Sequence, residues 1–231
     1  MSSATSSPAV EYPESDGKPM GETDRYRYWT IRIHDILTQR YRDQSVYVGS
    51  DLLLYYEEGT PTRFVVPDCF VVLNCPKHER RTFQTWKEGC VPDVVIEVTS
   101  QSTRLVDTID KPQTYEKIGV QEYILFDPTG DYLEPPLQGY RLTDGYLHTI
   151  PLVDGQLTCQ TLGLNLSLDD RKLVMADIRT GALQLTEAES ERRARELAER
   201  AAKREQAARI AADERTRQLE EELRRLKNRD S

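Results

Sequence analysis

The sequence predicts an α/β protein with a strand-rich body and a long charged helix at its C-terminal end. Three features predict this. Apolar residues at helical spacing precede a series of short β-type runs. After residue 137 the rhythm changes to brief apolar pieces punctuated by Asp-Gly pairs. The last stretch has no Gly or Pro from Thr186 to Lys227 and is dense in Ala, Glu and Arg. The expected organisation is a disordered lead-in over 1–22, one domain over 23–185 and a charged helix over 186–231.

The lead-in is rich in Ser, Pro, Gly and Glu and shows no apolar period. Thr23 or Asp24 caps a first helix, on which Trp29, Ile33, Ile36, Leu37 and Tyr41 recur at spacings of three and four. Strands are expected at Ser45–Val48, Leu52–Tyr56, Phe64–Leu73 and Val91–Val98, each rich in β-branched and aromatic residues and bounded by turn formers. A short helix fits Asp110–Ile118, with Pro112 in its first turn and Gly119 as its stop. Glu122–Phe126 reads as a buried strand ending at Asp127-Pro128. Beyond it, pieces such as Gly139–Leu142, Tyr146–Pro151, Gln156–Thr158 and Leu173–Asp177 form a β-meander appended to, or continuing, the first sheet, with Asp144-Gly145 and Asp154-Gly155 as hairpin signals. The final helix would span about 60 Å at about 1.5 Å per residue. Its apolar seam is thin: Leu219, Leu223 and Leu226 keep a coiled-coil spacing, but Arg209, Glu205 and Arg195 occupy the same line further back. A solvated single helix and a weak coiled coil both fit.

Charge is distributed unevenly. The chain has 31 Lys and Arg against 39 Asp and Glu, and Thr186–Ser231 carries 13 and 12 of these, a net of +1. Residues 1–185 therefore carry 18 basic and 27 acidic side chains, a net of −9. So acidic a body argues against a strong sequence-independent grip on phosphate backbones. No apolar run is long enough to cross a bilayer, and the first residues show neither a basic start nor an apolar stretch, so a soluble cytoplasmic protein is expected. Cys69, Cys75, Cys90 and Cys159 form no CxxC pair and His34, His78 and His148 are scattered, which suits reduced thiols better than a zinc site.

The acids that matter interrupt apolar strands. Asp68 lies within FVVPDCFVVLN and Glu97 within VVIEVTS. A carboxylate in such a place needs a cation, a hydrogen-bond partner or a raised pKa. Asp93 repeats the Pro-Asp pair of Asp68, but four residues of strand separate it from Glu97 by about 13 Å, too far to share a small ion. Asp93 is expected to top its strand and cap a turn. Asp68 and Glu97 can meet across neighbouring strands. Two carboxylates suit a hard, oxygen-loving ion such as Mg²⁺. Lys111, one helical turn beyond Asp107, can stabilise negative charge on a phosphate or help to deprotonate a water, or simply pair with Asp107 at the surface.

The segment PDCFVV, followed by PDVVIEVTSQSTRLVDTIDKPQTYEKIGVQEYILFDP, resembles the Uma-type family of putative restriction endonucleases, a branch of the PD-(D/E)XK nucleases. The resemblance covers about residues 25–180 and is most specific over Pro67–Pro128. Some members also carry an LEPPLQGYRL-like segment and a charged helical tail. The resemblance implies a restriction-endonuclease-like core, with a central mixed β-sheet flanked by helices. It implies Asp68 as the metal-binding Asp and Glu97 as the acid of the E-x-K element. The third position of that element is Thr99, and Lys111 is the matching lysine on the following helix. The implied function is a Mg²⁺-dependent endonuclease, with Mn²⁺ as a substitute, acting on DNA through Asp68, Glu97 and Lys111. A weakly active or inactive fold serving as an assembly module through its tail, with a homodimer as its product, is the rival. A nuclease specialised for RNA or for a transposon-type end is a third reading.

Overall fold

Thr23 opens the first helix as its side chain dictates. In the computed structural model, which describes residues 10–17 and 23–227, α1 (Asp24–Arg40) begins where the Thr23 hydroxyl accepts the Tyr26 N–H at 3.2 Å. Its apolar stripe, Trp29, Ile33, Ile36 and Leu37, is buried. Of the expected lead-in, residues 1–9 and 18–22 lie outside the described residues. Residues 10–17 form no helix or strand, but Tyr12 packs edge-on against Tyr55 at 5.1 Å and accepts the Gly59 N–H at 2.7 Å.

A mixed sheet forms the centre of the body. Its strands are ordered β1 (Val46–Gly49), β4 (Cys69–Leu73), β6 (Val94–Val98), β7 (Glu122–Phe126), β8 (Leu137–Thr143) and β9 (Tyr146–Thr149). Within this sheet the described parallel pair is β6 and β7, and a parallel pair needs a crossover, supplied here by α3 (Lys111–Ile118) and the turns before it; the short α2 (Thr85–Glu88) lies earlier in the chain. Both strands are buried along their whole length, as expected of strands covered on two faces. Alternation sorts their side chains. Val71, Ile96, Ile124 and Phe126 join α1 and a three-stranded meander, β10 (Gln156–Cys159), β11 (Leu164–Asp169) and β12 (Lys172–Asp177). Phe70, Val95, Tyr123 and Leu125 face the other way, toward Tyr115 of α3 and Phe83. On the same parity, Asp68 and Glu97 belong to the α3 side.

Three expectations are corrected. The run Phe64–Leu73 is two strands: β3 (Phe64–Val65) pairs with β2 (Leu54–Tyr55), which also pairs in parallel with β5 (Phe83–Gln84), while β4 belongs to the central sheet. Pro67, which has no N–H to give a ladder, stands at the break. The helix expected from Asp110 is preceded by a π-helical turn over Val106–Asp110, closed by the Lys111 N–H on the Val106 carbonyl. The reason is Pro112, whose ring in an α-helix would meet the carbonyl of Thr108; the wider turn relieves this. The meander divides: β8 and β9 continue the central sheet around Asp144-Gly145, whereas β10 to β12 form their own sheet. Strand β11, missed in the sequence, pairs on both sides. The small sheet lies so close that a Cβ on Gly139 would stand 2.5 Å from Leu157.

Gly119 ends α3 at a φ of 90° with its N–H on the Tyr115 carbonyl at 3.1 Å. The chain divides into two units, Met1–Thr186 and Glu187–Ser231. The second is α4 (Glu187–Lys227), a continuous helix that exposes Leu197, Ile210 and Leu219 and carries i,i+4 ion pairs such as Arg192 with Glu196 at 3.1 Å. The side chains of Leu223 and Leu226, on which the coiled-coil seam depends, lie outside the described residues.

Candidate active site

The antiparallel register of β4 and β6 pairs Cys69 with Ile96, which brings Asp68 beside Glu97 where the ladder ends. The Asp68 N–H donates to Glu97 Oε2 at 3.0 Å, and the Val98 N–H donates to Asp68 Oδ2 at 2.6 Å. Each carboxylate thus takes a backbone donor from the neighbouring strand and holds the other in place. Lys111 enters from α3 with Nζ 2.8 Å from Glu97 Oε2 and 3.1 Å from Asp107 Oδ1. The Tyr115 hydroxyl donates to Glu97 Oε1 at 2.7 Å, and the Tyr26 hydroxyl, from the first turn of α1, donates to Asp68 Oδ1. Asp107, Lys111 and Tyr115 are four residues apart, so one helix face delivers all three.

The cluster is shut away from bulk water: Glu97 and Asp107 are 0% exposed and the Lys111 side chain 11%. Burial raises Asp68 to about 6, Glu97 to about 7 and Asp107 to about 6, with Lys111 opposing each shift. Burial pulls Lys111 down, but Glu97, Asp68 and Asp107 together outweigh it and hold its amine charged, above its ordinary range. Tyr115 and Tyr26 are likewise pushed up, by burial first and by the carboxylates next, so both remain donors.

These shifts make stability depend on pH. The folded chain retains protons that the unfolded chain has released between about pH 4 and about pH 7. The resulting stabilisation is complete below about pH 4 and is lost as pH rises through the folded values. In EDTA the melting temperature is therefore expected to fall between about pH 4 and about pH 7, by on the order of 10 °C or more, since each of the three acids is raised by about two pH units and each unit is worth about 1.4 kcal/mol. Calorimetric scans that show a level or rising melting temperature over this interval would contradict the buried acid cluster.

The structure brings Asp68, Glu97 and Lys111 together. Thr99 is buried and its hydroxyl has no hydrogen-bond partner; a neutral residue, it supplies no cation. Asp93 does something else: its carboxylate accepts the Leu73 N–H at 2.7 Å and its own N–H reaches Val71. Sequence reasoning did not bring Tyr115 and Tyr26 to the cluster, and it read Asp107 only as a surface partner of Lys111. The spacing 107, 111, 115 was a usable signal for Asp107 and Tyr115; Tyr26 had none. Among the described residues no group of three or more His, Cys, Asp and Glu is disposed to surround a metal ion, and the Lys111 ammonium lies between the acids. Asp68 and Glu97 nevertheless present hard oxygen donors only, and Asp107 Oδ2 is buried with no hydrogen-bond partner. Such a set fits a hard divalent cation better than a soft one.

The sequence pattern of the Uma2 family, described as “Putative restriction endonuclease”, matches residues 5–169. Among solved structures, the fold is similar to that of a protein from Anabaena variabilis ATCC 29413 described as “a putative nuclease belonging to DUF820”. The two share 16% identity with a TM-score of 0.47, over 66% of this chain and 86% of that one. No curated protein matches.

Proposed function

This chain belongs to the Uma2 family, and from that premise we propose that it is a Mg²⁺-dependent endonuclease hydrolysing phosphodiester bonds in DNA. The observation that carries the reading is the meeting of Asp68, Glu97 and Lys111 at one end of the β4–β6 ladder, with Lys111 Nζ 2.8 Å from Glu97. Asp68 and Glu97 hold the ion, for which Mn²⁺ is a substitute. When bound, Mg²⁺ supplies Lewis-acid polarisation of the phosphate and a lower pKa for its water. The phenols of Tyr26 and Tyr115 fix the two carboxylates by donating to the oxygens that face them. Lys111, held protonated by three acids, stabilises negative charge developing on the phosphate and is a poor proton acceptor. Withdrawal of these groups from bulk water strengthens each of these interactions.

The test is cleavage of single- and double-stranded DNA, with Mg²⁺ or Mn²⁺, by the wild type and Glu97→Ala side by side. Activity lost in the variant alone is the expected result. No cleavage of any DNA by the wild type, together with no metal-dependent change in melting temperature, would overturn the reading. Cleavage of RNA alone would overturn its substrate.

Among the described residues no helix is long and apolar enough to cross a membrane, and we propose that the protein acts in the cytoplasm. A second reading concerns α4. Its exposed Leu197, Ile210 and Leu219 do not share one face of the helix, but Leu219, Leu223 and Leu226 keep a four-then-three spacing in the sequence, and on that spacing we assign the tail to homodimer assembly. Light scattering is expected to give a dimer for the full chain and a monomer after deletion of 187–231. An unchanged number of copies per particle would remove the tail from that role.

A further inference from the structure

We propose that Asp107 is a positioning residue for Lys111: when a divalent ion binds Asp68 and Glu97, the lysine leaves Glu97 and Asp107 retains it. The inference rests on the metal-dependent reading above and deepens it.

Glu97 has little room to spare. Its Oε1 accepts the Tyr115 hydroxyl at 2.7 Å, and its Oε2 accepts the Asp68 N–H at 3.0 Å and faces Lys111 Nζ at 2.8 Å. An ion that uses Glu97 must therefore displace the ammonium. Asp107 is where the ammonium can go. Its carboxylate is fully buried, lies 3.1 Å from Lys111 Nζ through Oδ1 and, that ion pair apart, has no hydrogen-bond partner on either oxygen. Burying a carboxylate with so few donors is expensive unless a cation sits beside it, and Lys111 is the cation in contact. The backbone pins Asp107 in place: its N–H donates to Thr103 at 2.8 Å and its carbonyl accepts the Tyr123 hydroxyl at 2.7 Å. An acid one turn N-terminal to a lysine is the better orientation for an i,i+4 pair.

Charge counting agrees. Asp68, Glu97 and Asp107 face one ammonium, and a divalent cation brings the set to neutrality. The ammonium then needs an anion of its own within reach of its stem, and Asp107 is that anion. Asp107 thus governs ion affinity through the lysine and does not ligate the ion.

Mn²⁺ binding to the metal-free full chain, followed by calorimetry, tests this in a double-mutant cycle. Lys111→Met removes the competitor and is expected to tighten Mn²⁺ binding about 10-fold. Asp107→Asn leaves Glu97 as the main anchor of the lysine and is expected to weaken it about 10-fold, within the range found for outer partners of metal ligands. With Lys111→Met already present, Asp107→Asn is expected to change affinity less than about 2-fold. Equal weakening in both backgrounds identifies a direct ligand and overturns the proposal. No weakening in the wild-type background reduces Asp107 to a structural role and also overturns it. A wild type that binds no Mn²⁺ overturns the metal-dependent reading and takes this inference with it. Should Lys111→Met fail to fold, Mg²⁺ titration of wild type and Asp107→Asn labelled with ¹³C at lysine Cε decides the matter. The Lys111 resonance moves in the wild type if the amine changes partner; a stationary resonance overturns the proposal.

Discussion

Lys111→Met is expected to slow DNA cleavage by about 10²–10³-fold, the loss typical of removing one preorganised donor to developing negative charge. Methionine keeps an unbranched apolar stem, so the packing of α3 is largely retained while the charge is lost. Asp68, Glu97 and Asp107 would then lack the cation that opposes the upward pull of burial on each of them. The variant is therefore expected to be least stable at alkaline pH without metal and to regain stability when Mg²⁺ is added. Lys111→Arg is not a rescue, because a planar guanidinium does not replace a compact ammonium between Glu97 and Asp107. Single-turnover cleavage at saturating Mg²⁺, with the melting temperature measured alongside, checks this. A wild-type rate in Lys111→Met would leave the lysine as a structural counter-ion and remove the charge stabiliser from the proposed chemistry.

Glu122→Ala is expected to cost about 3–5 kcal/mol of stability, the usual penalty for breaking a buried ion pair from one side. Glu122 is 0% exposed, and its carboxylate joins three parts of the chain. Arg141 of β8 donates to Oε1 through Nη2 at 2.6 Å and through Nε at 2.9 Å. The Cys159 thiol at the end of β10 and the Thr161 N–H just beyond it each donate to Oε2 at 2.9 Å, and the Gln160 N–H donates to Oε1 at 3.1 Å. Truncation leaves a half-buried guanidinium and two backbone donors without their acceptor, where β10 of the small sheet lies against the central one. Against a total of about 5–15 kcal/mol for a domain, this is a severe loss. Urea denaturation measures it; a change below about 1 kcal/mol would mean that water replaces the carboxylate at no great cost.

Local physics was legible in the sequence. The Thr23 cap, the apolar stripe of α1, the strand Glu122–Phe126, the Gly119 stop and the Asp144-Gly145 hairpin each depend on residues a few positions apart. Strand β11 was overlooked because its Leu, Asn and Ser residues have low intrinsic β propensity, although the alternation of Leu164, Leu166 and Leu168 with polar residues was a usable signal. The run Phe64–Leu73 looked continuous because nothing within it reveals that its halves pair with different sheets.

The acids are the sharper case. Glu97 and Glu122 look alike in sequence, each a carboxylate set in a buried apolar strand. By itself the sequence determined that both must be satisfied by something, since a bare charge is not tolerated in a strand core. What satisfies each was decided only when the sheet assembled. Glu97 meets a lysine from the crossover helix and the backbone of Asp68, leaving a cluster with more acid than base. Glu122 meets an arginine on the paired strand and two amides from a loop, leaving nothing unbalanced. The difference arises because electrostatic neutralisation acts through space, between groups that the chain order keeps far apart, whereas alternation, capping and turn preference act along the chain.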